Sequence, residues 1–132
     1  MKWLDGQSLK PLPKPIITRE HLRKYADVSM DKNPIHLDDE FAKRAGFPSV
    51  IVHGMLSMAF LADFVFYNFD KSSYRLKRLR TRFKKITLPG DQITCEGVVD
   101  KILPDGTIQL TLWTKNQNGE QTTEGEAIVI AV

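Results

Sequence analysis

The most apolar stretch of the chain covers residues 55–69, where hydrophobic side chains recur all the way round a helix. This pattern predicts a helix that is buried on every side. With Asp63 and Asn68 inside it, the stretch is too short and too polar to cross a bilayer. A buried carboxylate needs a partner, and we expect Asp63 to pair with an arginine of the strand that follows.

Four segments after this helix have the pattern of β-strands. Residues 107–114 alternate polar with apolar side chains, as expected for a sheet with one face on a core. Residues 104–106 and 116–119 have the composition of hairpin turns. The predicted strands cover residues 74–86, 92–103, 107–115 and 120–131. A buried helix followed by an antiparallel meander predicts an α+β fold in which the sheet wraps around the helix.

The first part of the chain predicts shorter elements. Residues 1–14 contain two prolines and are predicted to be an irregular lead-in, and residues 15–17 to add a short strand. Thr18 is placed to cap a helix that extends to about residue 26. A second helix, with an aspartate cap and a glycine stop, is predicted within residues 38–46.

Composition limits the class of protein. A chain of 132 residues, 42% hydrophobic and 27% charged, is predicted to form a single domain over residues 1–132. Its N-terminus lacks the apolar stretch of a signal peptide, so we expect a cytoplasmic protein. Its one cysteine, Cys95, allows no internal disulfide, and its strand context predicts a buried core residue.

Positive charge is concentrated in one predicted strand. The net charge is +3, and seven basic residues without an acidic one lie between Arg75 and Lys85. Such a run is most often a solvated face, but it would also suit an anionic partner. Nucleic acid is the weakest alternative, because no nucleic-acid-binding motif accompanies the charge. We therefore expect no nucleic-acid partner.

The candidate chemistry lies in the loop after the first helix. Asp31 and His36 are five residues apart and would not share a helix face. Pro34 breaks the helix, so the segment is predicted to be a fixed loop that aims both side chains at one point. Aspartate and histidine are suited to proton exchange near neutral pH. Taken alone, the loop would fit turn-forming residues and a structural histidine equally well.

Three stretches of the chain resemble the MaoC-like dehydratases, the family that includes (R)-specific enoyl-CoA hydratases. Residues 25–36 (YADVSMDKNPIH) are similar to the hydratase signature of that family. Residues 52–55 (VHGM), and residues 82–83 (RF) with 89–91 (PGD), resemble its next two landmarks in the same order. The resemblance covers roughly the whole chain. It implies the hot-dog fold, whose units usually pair, here as a homodimer or as a heterodimer.

The resemblance also implies an activity, the reversible hydration of an α,β-unsaturated acyl thioester. Asp31 and His36 would hold a water and act as the acid/base pair, either of them activating it, while Asn33 fixes the loop. Gly54, at the start of the buried helix, would bind the thioester oxygen through its N–H. Asn33 and Ser57 are grouped with Gly54 as substrate-binding candidates, although Ser57 would by default bond the preceding helical turn. The implied reaction needs no metal or cofactor, since coenzyme A or an acyl carrier protein is part of the substrate.

The basic strand gains a specific role from the resemblance. Arg80, Arg82 and Lys84 are the candidates for binding the phosphates of coenzyme A or the acidic surface of a carrier protein. Two positions depart from the family signature. Met30 occupies a usual glycine position and would be strained if the loop requires a positive φ, and Ala62 replaces a serine that is common near the catalytic pair.

Two other functions fit the same resemblance. A hot-dog thioesterase would release a free thiol, and the retained Asp31 and His36 argue against it. A non-catalytic acyl-thioester-binding protein or partner subunit would bind the substrate without turnover. His53 is expected to make a structural hydrogen bond, and His21 to face solvent. No membrane partner is expected.

Overall fold

The computed structural model describes residues 2–132 as a curved antiparallel sheet that packs against one long helix. A single turn of 3-10 helix, Pro34–His36, lies between the first two helices. In chain order, the helices and strands are β1 (Leu12–Pro13), α1 (Arg19–Ser29), α2 (Asp39–Arg44), α3 (Gly54–Asn68), β2 (Tyr74–Phe83), β3 (Thr94–Ile102), β4 (Ile108–Lys115) and β5 (Gln121–Ala131).

The sheet has the order β1-β3-β4-β5-β2, and every neighbouring pair is antiparallel. Strands β3, β4 and β5 form a meander, and β2 adds to its far side as an edge strand. The four predicted long strands are therefore confirmed to within three residues at each end. Strand β2 differs most from its prediction, since it ends at Phe83 rather than at residue 86. The N–H groups of both Lys84 and Lys85 donate to the carbonyl of Thr122, and the ladder stops there.

The core lies between α3 and the concave face of the sheet. Leu61, Phe64 and Val65 of α3 are fully buried in one cluster with residues of the sheet such as Leu112. The close approach of the helix requires a glycine in β5. A Cβ at Gly125 would lie 3.0 Å from the Arg80 carbonyl oxygen and 3.2 Å from Cδ1 of Leu61.

The prediction that α3 is buried on every side is wrong for the single chain. Besides the face toward the sheet, Leu56 and Phe60 are covered by a second cluster that includes Ile17 and Leu22. One stripe of α3 stays open, and its Met55 and Tyr67 are 60% and 46% exposed. The predicted partner of Asp63 is also wrong. Asp63 points away from the sheet and bonds Nζ of Lys14, 3.0 Å away, in the N-terminal segment. Within residues 2–132, every helix falls short of the length and apolar character needed to cross a membrane.

The N-terminal segment differs from the prediction in its pairing. Strand β1 pairs with β3, so the lead-in is not wholly irregular, and residues 15–17 lie outside any strand. The Thr18 cap is confirmed, since its hydroxyl accepts the His21 N–H while the His21 ring accepts the Thr18 N–H. His21 is exposed, as predicted. Cys95 is buried as predicted, and burial raises the pKa of its thiol to about 12.

Candidate active site

The loop between α1 and α2 takes its shape from local hydrogen bonds. Helix α1 ends at Met30, which has φ 65° and ψ 11°. This is the left-handed region that favours glycine, so the strain predicted at Met30 is present. Asn33 then caps the 3-10 turn by accepting the Ile35 N–H, while the Asn33 N–H donates to the Asp31 carboxylate. Asn33 therefore shapes the loop, and its side chain is directed at the backbone.

His36 is buried and its orientation is fixed from one side. Its Nδ1 lies 2.8 Å from the carbonyl oxygen of Ile51. A carbonyl can only accept, so Nδ1 carries the proton, and in neutral His36 the Nε2 atom presents a lone pair. This Nε2 lies 3.8 Å from Oδ2 of Asp31, whose side chain is half exposed. The distance is too long for a direct hydrogen bond but suits a single water that bonds both atoms.

His53 contacts both residues of this pair. Its ring is 1% exposed and stacks on the ring of His36, with centroids 3.8 Å apart and planes 21° from parallel. Its Nε2 donates to the backbone carbonyl of Asp31 at 3.0 Å, so the structural hydrogen bond predicted for His53 is confirmed. The edge of Tyr25 closes the other side, with ring centroids 4.8 Å apart. Burial, and secondarily the neighbouring His36, lower the pKa of His53.

A cavity of about 300 Å³ opens beside His36, and Gly54 and Ser57 form part of its wall. Gly54 begins α3, and the first N–H groups of a helix have no acceptor within it. A Cβ on Gly54 would lie 2.9 Å from the Phe83 ring, so a larger residue here would have to displace that ring. Ser57 is buried and lines the cavity, and its hydroxyl takes part in none of the side-chain hydrogen bonds within residues 2–132, so the expected bond to the preceding turn is absent. The hydroxyl is left available to a ligand.

The sequence missed several residues that line this cavity. Lys85 was not distinguished from the rest of the basic run, although it lies beside Lys84 in the wall. Thr123 was not considered, and its buried hydroxyl has no partner within residues 2–132. The pairing of Thr123 with Phe83 across β5 and β2 explains its position. A strand-pairing prediction would have been needed to find it. The remaining wall residues are Ile51, Val52, Phe83, Ile86 and Thr87.

The three basic candidates do not meet at one place. Lys84 lines the cavity, whereas Arg80 and Arg82 line a separate cavity of about 440 Å³ together with Glu124 and Glu126. Glu124 lies 3.5 Å from Arg82 and 3.8 Å from Lys84. Lys85 is paired with Glu120. Much of the predicted anionic-partner surface is thus neutralised within the chain.

Asp31, His36 and His53 lie close enough together to be considered as metal ligands, since one atom of each falls within 4.8 Å of the others. The two imidazole planes are nearly parallel and stacked. A metal must lie in the plane of each imidazole at about 2.0–2.1 Å from nitrogen, and one ion cannot do so for two stacked rings. The arrangement is suited to holding water rather than a metal ion.

The chain is similar to one protein family and to several enzymes. Residues 4–132 match the MaoC like domain family. The mitochondrial 3-hydroxyacyl-[acyl-carrier-protein] dehydratase of Arabidopsis thaliana is 32% identical over 121 residues, which is 87% of this chain and 70% of that protein. An (R)-specific enoyl-CoA hydratase of Aeromonas caviae is 33% identical over 107 residues, 80% of this chain and 79% of that protein.

A solved structure shows the same fold. The unliganded R-hydratase PhaJ1 of Pseudomonas aeruginosa superposes with a TM-score of 0.87 at 30% sequence identity. The superposition covers 97% of this chain and 81% of that one. It confirms the hot-dog fold predicted from the sequence.

Proposed function

Since this chain belongs to the MaoC-like domain family, we propose that it is an (R)-specific enoyl-thioester hydratase, and equally a 3-hydroxyacyl-thioester dehydratase. The observation that carries this proposal is the pairing of His36 Nε2 with the Asp31 carboxylate at 3.8 Å beside a cavity bounded by Gly54. The enzyme is a hydro-lyase that adds water across the α,β double bond of an acyl thioester or removes it.

The protonation states of the pair orient the water. The Asp31 carboxylate and the His36 Nε2 lone pair both accept, so a water between them directs both of its hydrogens toward the protein. Its oxygen lone pair then points outward to the β-carbon of the substrate. One member of the pair takes a proton as the new C–O bond forms.

The electrons displaced from the double bond move onto the thioester oxygen. The Gly54 N–H, at the positive end of α3, stabilises that oxygen as the enolate develops. A donor of this kind typically contributes about 3–4 kcal/mol to transition-state stabilisation. Delivery of the proton taken from the water to the α-carbon completes the addition and restores the pair, and the reverse sequence eliminates water. The free hydroxyl of Ser57 is a second donor on the same wall. No step requires a metal or a redox cofactor.

The acyl group is carried on coenzyme A or on an acyl carrier protein, the two carriers in the names of the related enzymes. Lys84 and Lys85 line the cavity, and each would exchange its glutamate partner for the phosphates of either carrier. Because the phosphates are remote from the reacting double bond, we expect a small contribution to KM rather than to kcat. Arg80 and Arg82 contribute only if the carrier extends across β2 to the second cavity.

We further propose that two copies of the chain associate as a homodimer. Strand β2 is at the edge of the sheet, and a long unpaired edge readily accepts another strand. Beside it, the apolar side chains of Met55, Phe83 and Ile86 are 60%, 53% and 44% exposed. A second copy would cover both the edge and the outer face of α3. A related but different subunit in the same place would make a heterodimer.

Hydration of crotonyl-CoA tests the proposed activity. The wild-type protein is expected to remove the enoyl absorbance and to form (R)-3-hydroxybutyryl-CoA. Asp31→Asn and His36→Gln are each expected to lower kcat/KM by at least about 100-fold, the scale of general acid–base catalysis. Asp27→Asn and His21→Gln are matched controls on the exposed face of α1, and both should retain wild-type kcat.

Three other outcomes would change the assignment. Release of free coenzyme A would indicate a thioesterase. Binding of crotonyl-CoA without turnover, unaffected by His36→Gln, would indicate a binding protein or partner subunit. Formation of the (S)-product would contradict the stereochemical assignment.

A further inference from the structure

We propose that His53 is a positioning residue for the reaction. It fixes the positions of Asp31 and His36 and does not contact the substrate. The proposal rests on the hydratase function proposed above. Its evidence is the contacts of His53, which join residues that are far apart in the chain.

The first contact fixes the backbone of Asp31. Nε2 of His53 lies 3.0 Å from the Asp31 carbonyl oxygen, and this N–H is the donor. Asp31 is exposed and follows Met30, whose left-handed conformation is unfavourable for a residue with a side chain. Within the loop, the Asp31 N–H donates to the Ser29 hydroxyl, and the Asn33 N–H donates to the Asp31 carboxylate. Ser29 and Asn33 are themselves exposed. The bond from His53 ties this loop to the rigid start of α3.

The second contact restrains the ring of His36. The bond from His36 Nδ1 to the Ile51 carbonyl fixes one ring atom, but it leaves the ring free to tilt about that bond. The stacked ring of His53, at a centroid distance of 3.8 Å, closes the space into which His36 would tilt. Together the two contacts set the direction of the Nε2 lone pair toward Asp31.

The protonation state of His53 suits this role. Since Nε2 donates to a carbonyl, neutral His53 has a bare Nδ1, which is buried and has no partner within residues 2–132. A proton there would have no acceptor and would place a charge against His36. The groups near the ring are Tyr25, His36 and Asp31, whose carboxylate lies within 4.8 Å, and none of them accepts at Nδ1. His53 therefore stays neutral while the catalytic pair exchanges protons.

Two substitutions separate the two contacts. His53→Gln keeps an N–H donor near the position of Nε2 and loses the ring, whereas His53→Phe keeps a stacking ring and loses the donor. Both variants are expected to lower kcat for crotonyl-CoA by about 100-fold, because a displacement of about 1 Å in a catalytic group has an effect of this size. KM is expected to change by less than about threefold, since the lost contacts do not bind substrate.

His21→Gln is the control for a merely structural effect. It makes the same chemical change at another histidine and removes a ring contact that caps α1. This variant is expected to lower the melting temperature while kcat stays unchanged. If both His53 variants fold and retain kcat within twofold of wild type, with a lower melting temperature as their only defect, the proposal is overturned.

NMR relaxation of the imidazole carbons provides a readout that needs no substrate. The Ile51 carbonyl keeps the Nδ1–H tautomer of His36 in every variant, but the order parameter of the His36 ring is expected to fall in His53→Gln, where the ring can tilt, and to stay at the wild-type value in His53→Phe. An unchanged order parameter in His53→Gln would contradict the restraining role. If the wild type hydrates no thioester, the proposed function fails, and the NMR result still decides whether His53 orients His36.

Discussion

At the scale of single residues, the site is organised by backbone carbonyls that accept from histidines. The Ile51 carbonyl accepts the Nδ1–H of His36, and the Asp31 carbonyl accepts the Nε2–H of His53, so each ring carries its proton on the bonded nitrogen. Each bond selects the tautomer and leaves the other nitrogen bare. In His36 the bare nitrogen faces Asp31, and in His53 it is buried. Two chemically identical side chains are thus given different tasks by the atoms around them.

The sequence predicted the residues of the pair but not their support. Asp31 and His36 are separated by one short loop, so a proline and a cap residue are enough to indicate that they converge. His53 is 22 residues from Asp31. The position of its ring depends on how the start of α3 packs relative to α1. This tertiary arrangement cannot be read from any local sequence pattern. The sequence showed that His53 had a structural partner, but not that the partner was the catalytic loop.

Substitution of Met30 tests the strain in the loop. Met30→Gly removes an unfavourable left-handed conformation, at φ 65°, and adds backbone freedom to the unfolded chain. Because such strain typically costs about 1–3 kcal/mol, we expect a net gain of about 1 kcal/mol in the free energy of unfolding. Urea denaturation measures it. Val28→Gly, in the same exposed helix end, is the control and should destabilise.

The lowered pKa of His53 predicts acid destabilisation. Histidine in the unfolded chain takes up a proton near about pH 6.5, whereas burial lowers the pKa of His53 in the folded chain. The unfolded chain therefore binds more protons as the pH falls below that value, and the free energy of unfolding decreases. Comparing urea denaturation at pH 8 and pH 5 should show a smaller acid loss in His53→Gln than in wild type. An equal loss in both proteins would contradict this account.

At the scale of elements, the approach of α3 to the sheet determines where the cavity lies. Phe83 at the end of β2 rests over Gly54 at the start of α3, and Gly125 of β5 lets Leu61 reach the sheet. These contacts place the helix N-terminus beside His36. The same approach leaves one stripe of α3 uncovered in the single chain.

Substitution of Gly125 tests this close packing. Gly125→Ala would bring a methyl group within 3.0 Å of a backbone oxygen and 3.2 Å of Leu61. The backbone oxygen cannot move freely, so we expect a loss of about 1–3 kcal/mol in the free energy of unfolding, the usual cost of overpacking. Combining Gly125→Ala with Leu61→Val should restore only the part of the lost free energy of unfolding that arises from the contact with the Leu61 side chain. Wild-type stability in Gly125→Ala would show that the sheet is more deformable than this packing implies.

Most elements were predictable because their signals are local. Alternation predicted the strands, and Thr18 and an aspartate at position 38 or 39 predicted the starts of two helices, the second of which Asp38 caps. Strand β1 was missed because its two residues, one of them a proline, carry no periodicity. The exposure of α3 was also missed. A helix that is apolar all round indicates that every face is covered, but the pattern does not say by what.

At the scale of the whole molecule, that mismatch is itself informative. The sequence predicts a helix buried on all sides, and the single chain leaves one stripe of it exposed, which includes Met55 and Tyr67. The second subunit proposed above would cover this stripe together with the edge of β2. The fully apolar pattern would then reflect an assembly rather than one chain.

Light scattering after size-exclusion chromatography tests the assembly. We expect a mass twice the 15.1 kDa of one chain. Met55→Lys places a charge on the exposed face of α3, outside the residues that line the cavity. It should shift the mass toward one chain, whereas Val28→Lys, at an exposed position on α1, should not. A monomeric wild type would contradict the homodimer and leave association with a different subunit as the way to cover α3.

The central claim is that Asp31 and His36 act together on one water. A double-mutant cycle on kcat/KM for crotonyl-CoA hydration, with Asp31→Asn, His36→Gln and the two combined, tests it most directly. Groups that act as one unit give strongly non-additive losses. The account therefore predicts that the double variant loses little more than either single variant. Losses that multiply, or either single variant with wild-type kcat/KM, would show that the two residues do not share the water.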